Sequence, residues 1–385
     1  MKHRTFIPGG WLGILLVLIG IYPVTVSAQR APSSSFDDYI FWGYPEFYLN
    51  YQAQIAYPLI DTMLQTYPPT PMPDRYRQLA LVTLDQLLHE GNYNKREAFY
   101  TFVNDRMTAM LAKMDKPVPY GVRVYKLYNS GFVLKTKDIT IAVDLVPGGT
   151  ADKPFLSEPV IYEIADRCDA LLITNADSQH ANRSVADLFM LLGKTVIVPD
   201  GLWRDAEAGL QYADAEATPT IDMKGMTLYV LDGHRGKEKN NIYIMDFLGH
   251  GVVAHTGAQD NDADWEWIDE IHNQFSVDIL LTKSANIRLE TMLAGFQPRL
   301  VITAHENAME NTVDRRESYW TTQKRVQSLA DLNIPNVLMT WGETYDYADA
   351  DSNKRSSSAR KVLQNGILYI ERKGSIYTPA GIKVK

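Results

Sequence analysis

Apolar positions along the chain change their period partway, and the change separates two kinds of structure. From about 39 to 115 the spacing is helical. In "PDRYRQLALVTLDQLLHEG", Leu79, Leu81, Leu84, Leu87 and Leu88 recur at helical intervals, with Pro73 and Asp74 at the start and Gly91 beyond the end. In "NKREAFYTFVNDRMTAMLAKM", Phe99, Phe102, Val103, Met107, Met110 and Leu111 share one face. "YPPTPMP" at 67–73 forbids helix and predicts a loop. The aromatic-rich "DYIFWGYPEFYLNYQ" is expected to pack against the body, with an exposed aromatic platform as the alternative.

After "KPVPYG" (116–121) the pattern becomes short strands. "VRVYKLYNS", "GFVLKTKD" and "ITIAVDLV" read as hairpins. A helix over 157–167 leads to a strand at 169–174, a helix near 182–193 and the strand "KTVIVPD". Three strands follow in "MTLYVLDG", "NIYIMDFLG" and "GVVAHTG". Helices near 263–274 and 286–294 precede the strands "VDILLTK" and "RLVITAH". A helix over 316–332 and strands "NVLMTW" and "GILYIERKG" complete the pattern, the last expected to close the second sheet. "DSNKRSSSARK" (351–361) reads as a polar loop. Hairpins, βα units, hairpins and βα units again call for two mixed sheets face to face with helices outside, an α/β (α+β) fold.

The first residues stand apart. Lys2 and Arg4 precede the mostly apolar "WLGILLVLIGIYPVTV", and "VSAQ" offers Val26 and Ala28 at a cleavage point. That order predicts a secretory signal peptide over 1–28. The expected mature protein is exported, periplasmic or extracellular, with no membrane span left. The net charge of −8 becomes −8 − 2 = −10 once Lys2 and Arg4 are removed. With no long Lys/Arg run, nucleic acid is not an expected partner. The single cysteine, Cys168, cannot form an intramolecular disulfide, so stability must come from the core. Beside an apolar strand it reads as a small packing residue rather than a catalytic thiol.

Three strand ends gather polar side chains. "TNADSQH" offers Asn175, Asp177, Gln179 and His180. "AHTGAQDNDAD" offers His255, Gln259, Asp260, Asp262 and Asp264. "TAHENAMENTVDRRE" offers His305, Glu306, Asn307, Glu310, Asp314, Arg315, Arg316 and Glu317. Imidazoles and carboxylates on loops held by rigid strands suit a metal or acid–base site. Asp, Asn and Ser also favour turns for backbone reasons alone. "DNDAD" is not an EF-hand, because Trp265 and Ile271 replace its glycine and bidentate glutamate. No G-x-S-x-G elbow is present.

These segments together resemble the metallo-β-lactamase superfamily, in its lactonase-like metallo-hydrolase branch. "VYKLYNSGFVLKTKDITIAVDLV" is similar to its opening hairpins, ending in a strand-terminal Asp, here Asp144. "CDALLITNADSQH" stands where its T-H-x-H-x-D-H loop would be. "VVAHTGAQDN" resembles its strand ending in T-G-D, and "PRLVITAHENAMENTVDRRESYW" its last ligand loop. The resemblance covers residues 121–345. It implies an αββα four-layer sandwich over 121–385, with 29–120 as an N-terminal helical extension. Residue by residue, Asn175 and Asp177 stand at first-site histidine positions, Gln179 at the second-site Asp, and Ala258 at the bridging Asp. His180 and His305 match, and Asp200 is the nearest donor to the middle histidine position.

Neutral amides are weak zinc ligands and Ala258 supplies no donor, so a dinuclear site is not expected. The resemblance implies at most one divalent ion, zinc first, on Asp177, His180 and His305 with Asp200. Such an ion would polarise an ester, lactone or amide carbonyl, with Asp177 or Asp260 as base and Arg315 and Arg316 binding substrate. The alternative is a non-catalytic pseudo-hydrolase that binds a small molecule or partner on the same fold.

Overall fold

The computed structural model describes residues 45–204, 209–329 and 332–348, and as backbone the strands between 360 and 377. The expected signal peptide, residues 29–44 and most of the polar loop 351–361 lie outside the described residues. Helices α1 (Pro45–Thr66), α2 (Arg75–Leu88) and α3 (Glu97–Met114) come first. The Asp74 side chain caps α2 by accepting from the Tyr76 N–H at 2.7 Å. Strands β1 (Val122–Lys126), β2 (Phe132–Lys135) and β3 (Thr140–Val143) form the opening hairpins. Then α4 (Glu158–Arg167), β4 (Ala170–Leu172), α5 (Arg183–Leu191), β5 (Thr195–Pro199) and β6 (Leu210–Ala213) follow.

The second half runs β7 (Thr220–Met223), β8 (Met226–Arg235), β9 (Glu238–Phe247) and β10 (Gly251–His255). It continues with α6 (Trp265–Ile268), β11 (Ile279–Lys283), α7 (Leu289–Phe296), β12 (Leu300–Ala304) and α8 (Tyr319–Ser328). Strands β13 (Asn336–Val337) and β14 (Thr344–Tyr347) follow, then β15 (Arg360–Gln364), β16 (Ile367–Arg372) and β17 (Ser375–Tyr377).

Two seven-stranded mixed sheets result. The first runs β14-β1-β2-β3-β4-β5-β6 and the second β13-β12-β11-β10-β9-β8-β7. Between them lies one apolar layer that includes Val124, Leu134, Ile141, Leu172, Leu228, Met245, Ile279 and Ile302. The outer face of the first sheet packs with α1 to α5, and that of the second with α6 and α7. This is the four-layer αββα sandwich that the sequence leads one to expect.

The N-terminal helices share their core with the first sheet. Phe99 meets Phe155 edge-on at 5.3 Å, and Tyr128 meets Trp341 at 5.2 Å. Within the aromatic-rich start Tyr51 is exposed, and farther along α1 Tyr57 packs on Phe102. The Asp85 carboxylate on α2 accepts from the Tyr319 and Trp320 N–H groups and so caps α8 from another element.

Three expectations need correction. "GILYIERKG" does not close the second sheet. It supplies β16, which pairs with β15 and β17 in a separate antiparallel sheet, and β15 takes in Arg360 and Lys361 of the expected polar loop. "NVLMTW" is a strand only at Asn336–Val337. Its remaining polar groups turn elsewhere, the Thr340 N–H to Glu343 and the Trp341 carbonyl to Arg106. The helix near 263–274 is broken into short turns, with α6 its only α-helical piece.

Candidate functional site

Strand alternation carries polar residues to one edge of the inter-sheet gap. On β1, Val122 and Val124 face the gap, so Lys126 does as well. On β11, Ile279 and Leu281 put Lys283 on the same side, and on β10 Val253 does so for His255. Strands β3, β4 and β5 run parallel, as do β10, β11 and β12, so their following loops meet at this edge.

Asp144, just beyond β3, is fully buried. Its carboxylate accepts from the Thr174 N–H at 2.8 Å, the Thr174 hydroxyl at 2.8 Å and His180 Nδ1 at 2.7 Å. Burial alone would raise its pKa. The facing His180, His255 and Thr174 groups outweigh burial and hold it below the ordinary value, so the group is ionised. An ionised carboxylate only accepts, so His180 Nδ1 carries the hydrogen and, in the neutral ring, Nε2 presents a lone pair. The His305 ring lies 4.9 Å from that of His180, and both Nε2 atoms are buried with no hydrogen-bond partner among the described residues.

His305 is held neutral by burial, reinforced by His180, Lys283 and Lys126. Burial also lowers the pKa of His255, against the opposing pull of Asp144. His255 is fixed at both nitrogens. Nδ1 accepts from the Gly257 N–H at 3.1 Å, and Nε2 donates to the Ser130 carbonyl at 3.1 Å. Lys126 is buried against the Phe132 ring, donates to the Asn129 carbonyl, and is pushed down to about 8 by burial.

The residues singled out in the sequence do not assemble into one ligand set. Asp177 is ion-paired with Arg235, and its other oxygen accepts from the Gln179 N–H at 2.8 Å. The Asn175 amide donates to the Asn240 side-chain oxygen at 3.0 Å, which also accepts from the Ala258 N–H at 2.8 Å. Asn240 thus ties together the two loops that would flank a first metal. Asp200 pairs with Arg204 at 2.5 Å, and Asp260 accepts from the Gly236 N–H at 2.6 Å.

Arg316 is engaged with the protein's own backbone. It donates to the carbonyls of Asn311, Leu88 and Met309 and lies over the Tyr93 ring, bolting the last loop to α2. Arg315 is exposed. Cys168 is buried at the end of α4 with its thiol pushed up by burial, in keeping with a packing role.

A zinc site needs at least three protein donors. Among the described residues no group of three His, Cys, Asp or Glu side chains is placed to hold an ion. The free Nε2 atoms of His180 and His305 supply two. The residues present therefore do not fit the metal that the resemblance implies. Arg235, Asn240, Lys126 and Lys283 were not singled out in the sequence. For the two lysines a signal existed, since each is a charged residue in phase with gap-facing apolar positions at a strand's end.

Gly257 permits the close approach of the Asn240 side chain on β9. Its φ is +56°, and a Cβ there would lie 2.3 Å from Asn240 Oδ1. Gly257→Ala is expected to destabilise the fold by at least about 1–2 kcal/mol, the strain of a left-handed alanine. Urea denaturation reads this directly.

No protein-family model matches the chain, and no curated protein matches it. Solved structures do. Igni18, a metallo hydrolase from the archaeon Ignicoccus hospitalis, is 18% identical over 59% of this chain and 99% of its own, with a TM-score of 0.46. A possible metal-dependent hydrolase from Veillonella parvula is 14% identical over 59% and 100%, also at 0.46. YhfI from Bacillus subtilis, a metallo-β-lactamase fold protein, is 10% identical over 59% and 99%, at 0.43. The two sheets and the order of their segments bear out the resemblance seen in the sequence. The fold is an αββα sandwich of two seven-stranded mixed sheets. Likeness at this level concerns architecture, so chemistry must be argued from the residues.

Proposed function

We propose that this chain is an exported protein that uses a metallo-hydrolase-like sandwich to bind a small molecule without metal-dependent hydrolysis. The observation that carries the reading is the Asp177–Arg235 ion pair. It puts a protein-borne cation on the one carboxylate of the loop that could replace a lost histidine ligand. Asn240 and Ala258 leave no bridging donor beside it. Export rests on the order of charge, apolar run and small residues over 1–28.

A second reading, a mononuclear metal-dependent hydrolase of an ester, lactone or amide, is favoured by the unpartnered Nε2 atoms of His180 and His305. Metal analysis separates the two. Protein purified after growth with zinc, manganese and iron is expected to hold none of them in stoichiometric amount. Metal that is bound at one per chain, and lost in His180→Ala and His305→Ala, would overturn the proposal in favour of the hydrolase.

A further inference from the structure

Orphaned polar atoms concentrate at the inter-sheet edge. Besides the two Nε2 atoms, the Asn129 amide, the Ser130 hydroxyl and both Glu306 carboxyl oxygens are buried there without partners among the described residues. Buried polar groups are nearly always satisfied, so such a concentration marks a place where something binds.

The charges around it favour an anion. Lys283 ends β11 facing the gap, partly buried, with no hydrogen-bond partner for its ammonium among the described residues. Arg235 gives Nη1 to Asp177, while Nε and Nη2 have no partner among the described residues. The neighbouring carboxylates are already engaged. Asp144 holds three donors, Asp177 holds Arg235, Asp260 accepts from Gly236, and Glu317 pairs with Arg325 at 2.6 Å. The Glu306 carboxyl is buried and interacts with the Lys126 ammonium, which offsets its charge. A divalent cation would meet ammonium and guanidinium groups here, whereas an oxyanion would meet its usual partners.

The His180 lone pair adds a second requirement. With Nδ1–H committed to Asp144, Nε2 of the neutral ring accepts a hydrogen. A bare carboxylate brings none. Hydrogenphosphate or a hydroxy-acid brings both the anionic oxygens and the hydroxyl.

We propose that the gap binds a small oxyanion that also carries a hydroxyl hydrogen. Lys283 and the free edge of Arg235 hold the charge, and His180 Nε2 accepts the hydroxyl. This deepens the binding reading above and rests on it.

Calorimetric titration of the purified full chain in chloride-free buffer tests it, with inorganic phosphate, lactate and acetate as separate probes. Saturable one-site binding of phosphate or lactate is expected, with acetate weaker, and the preferred probe distinguishes a phosphate from a hydroxycarboxylate ligand. Loss of a charge-assisted contact in Lys283→Met should weaken binding about tenfold or more. Lys283→Arg should retain most of the affinity. Arg235→Gln provides a second test should Lys283→Met fail to fold.

Absence of binding by both phosphate and lactate, or affinity indifferent to both Lys283→Met and Arg235→Gln, overturns the inference. If the protein is also free of stoichiometric metal, the binding reading survives that failure. Phosphate binding that appears only after zinc is added overturns both.

Discussion

Replacing Arg77 with alanine is expected to destabilise the protein by about 3–5 kcal/mol, the effect of leaving one member of a buried ion pair uncompensated. Arg77 on α2 is fully buried and grips Glu343 with two nitrogens, at 2.8 and 2.6 Å. It also donates to the carbonyls of Leu338 and Tyr67. The Glu343 carboxylate accepts from the Thr340 N–H at 2.7 Å as well, so the loop before β14 is organised around this charge. Arg106 stands 3.6 Å from the same carboxylate and offsets part of the loss. Arg77→Met with Glu343→Leu should be milder than Arg77→Ala, because neither charge is then left buried. Urea denaturation of the three proteins checks the order.

The same pair sets a pH dependence. Burial alone would raise the Glu343 pKa, but Arg77 and Arg106 outweigh it and hold the group below its ordinary 4.5. A depressed folded-state pKa means stability that is present above the unfolded value. It is lost as pH falls from about 4.5 through the lower folded value. The parental protein should therefore lose stability across that acid range, and the double variant should lose less.

Much of this architecture was legible in the apolar pattern because helical and alternating periods report burial directly. The α2 and α3 stripes and the opening hairpins follow from it. What failed depended on partners. "GILYIERKG" has the pattern of a closing strand, but Asn365 and Gly366 before it favour a local hairpin with β15. "NVLMTW" looks like a strand, yet buried charges claim its backbone.

The site divides in the same way. His180, His305 and Asp144 could be placed from strand ends and resemblance. The fate of Asp177 could not, because Arg235 lies 58 residues away and only the fold brings it close. Lys283 was legible in principle. A lysine in phase with Ile279 and Leu281 departs from the alternation, and departures of that kind concentrate where function resides.

Asp144→Ala should cost about 4 kcal/mol, since three donors lose a buried acceptor and each orphaned group costs about 1–3 kcal/mol. The Thr174 N–H, the Thr174 hydroxyl and His180 Nδ1–H would all be stranded in a site with little access to water. Asp144→Asn is the sharper experiment. Asparagine keeps an acceptor for the Thr174 N–H, so the loss should be smaller, but its amide N–H₂ can face His180 only if Nδ1 becomes the acceptor. The imidazole hydrogen then moves to Nε2 and points into the gap. Nitrogen-15 shifts of the histidine ring should show protonated Nδ1 in the parent and protonated Nε2 in Asp144→Asn.

The ligand preference should follow the hydrogen. With Nε2 donating, the gap no longer accepts a hydroxyl, so acetate should gain affinity and lactate lose its advantage. A metal-ligand role for His180 predicts a different outcome, because protonating Nε2 removes the lone pair that would hold the ion. Zinc uptake would then fall while the order of acetate and lactate stayed as it was. Measuring both in one variant thus separates an oxyanion site from a surviving metal site.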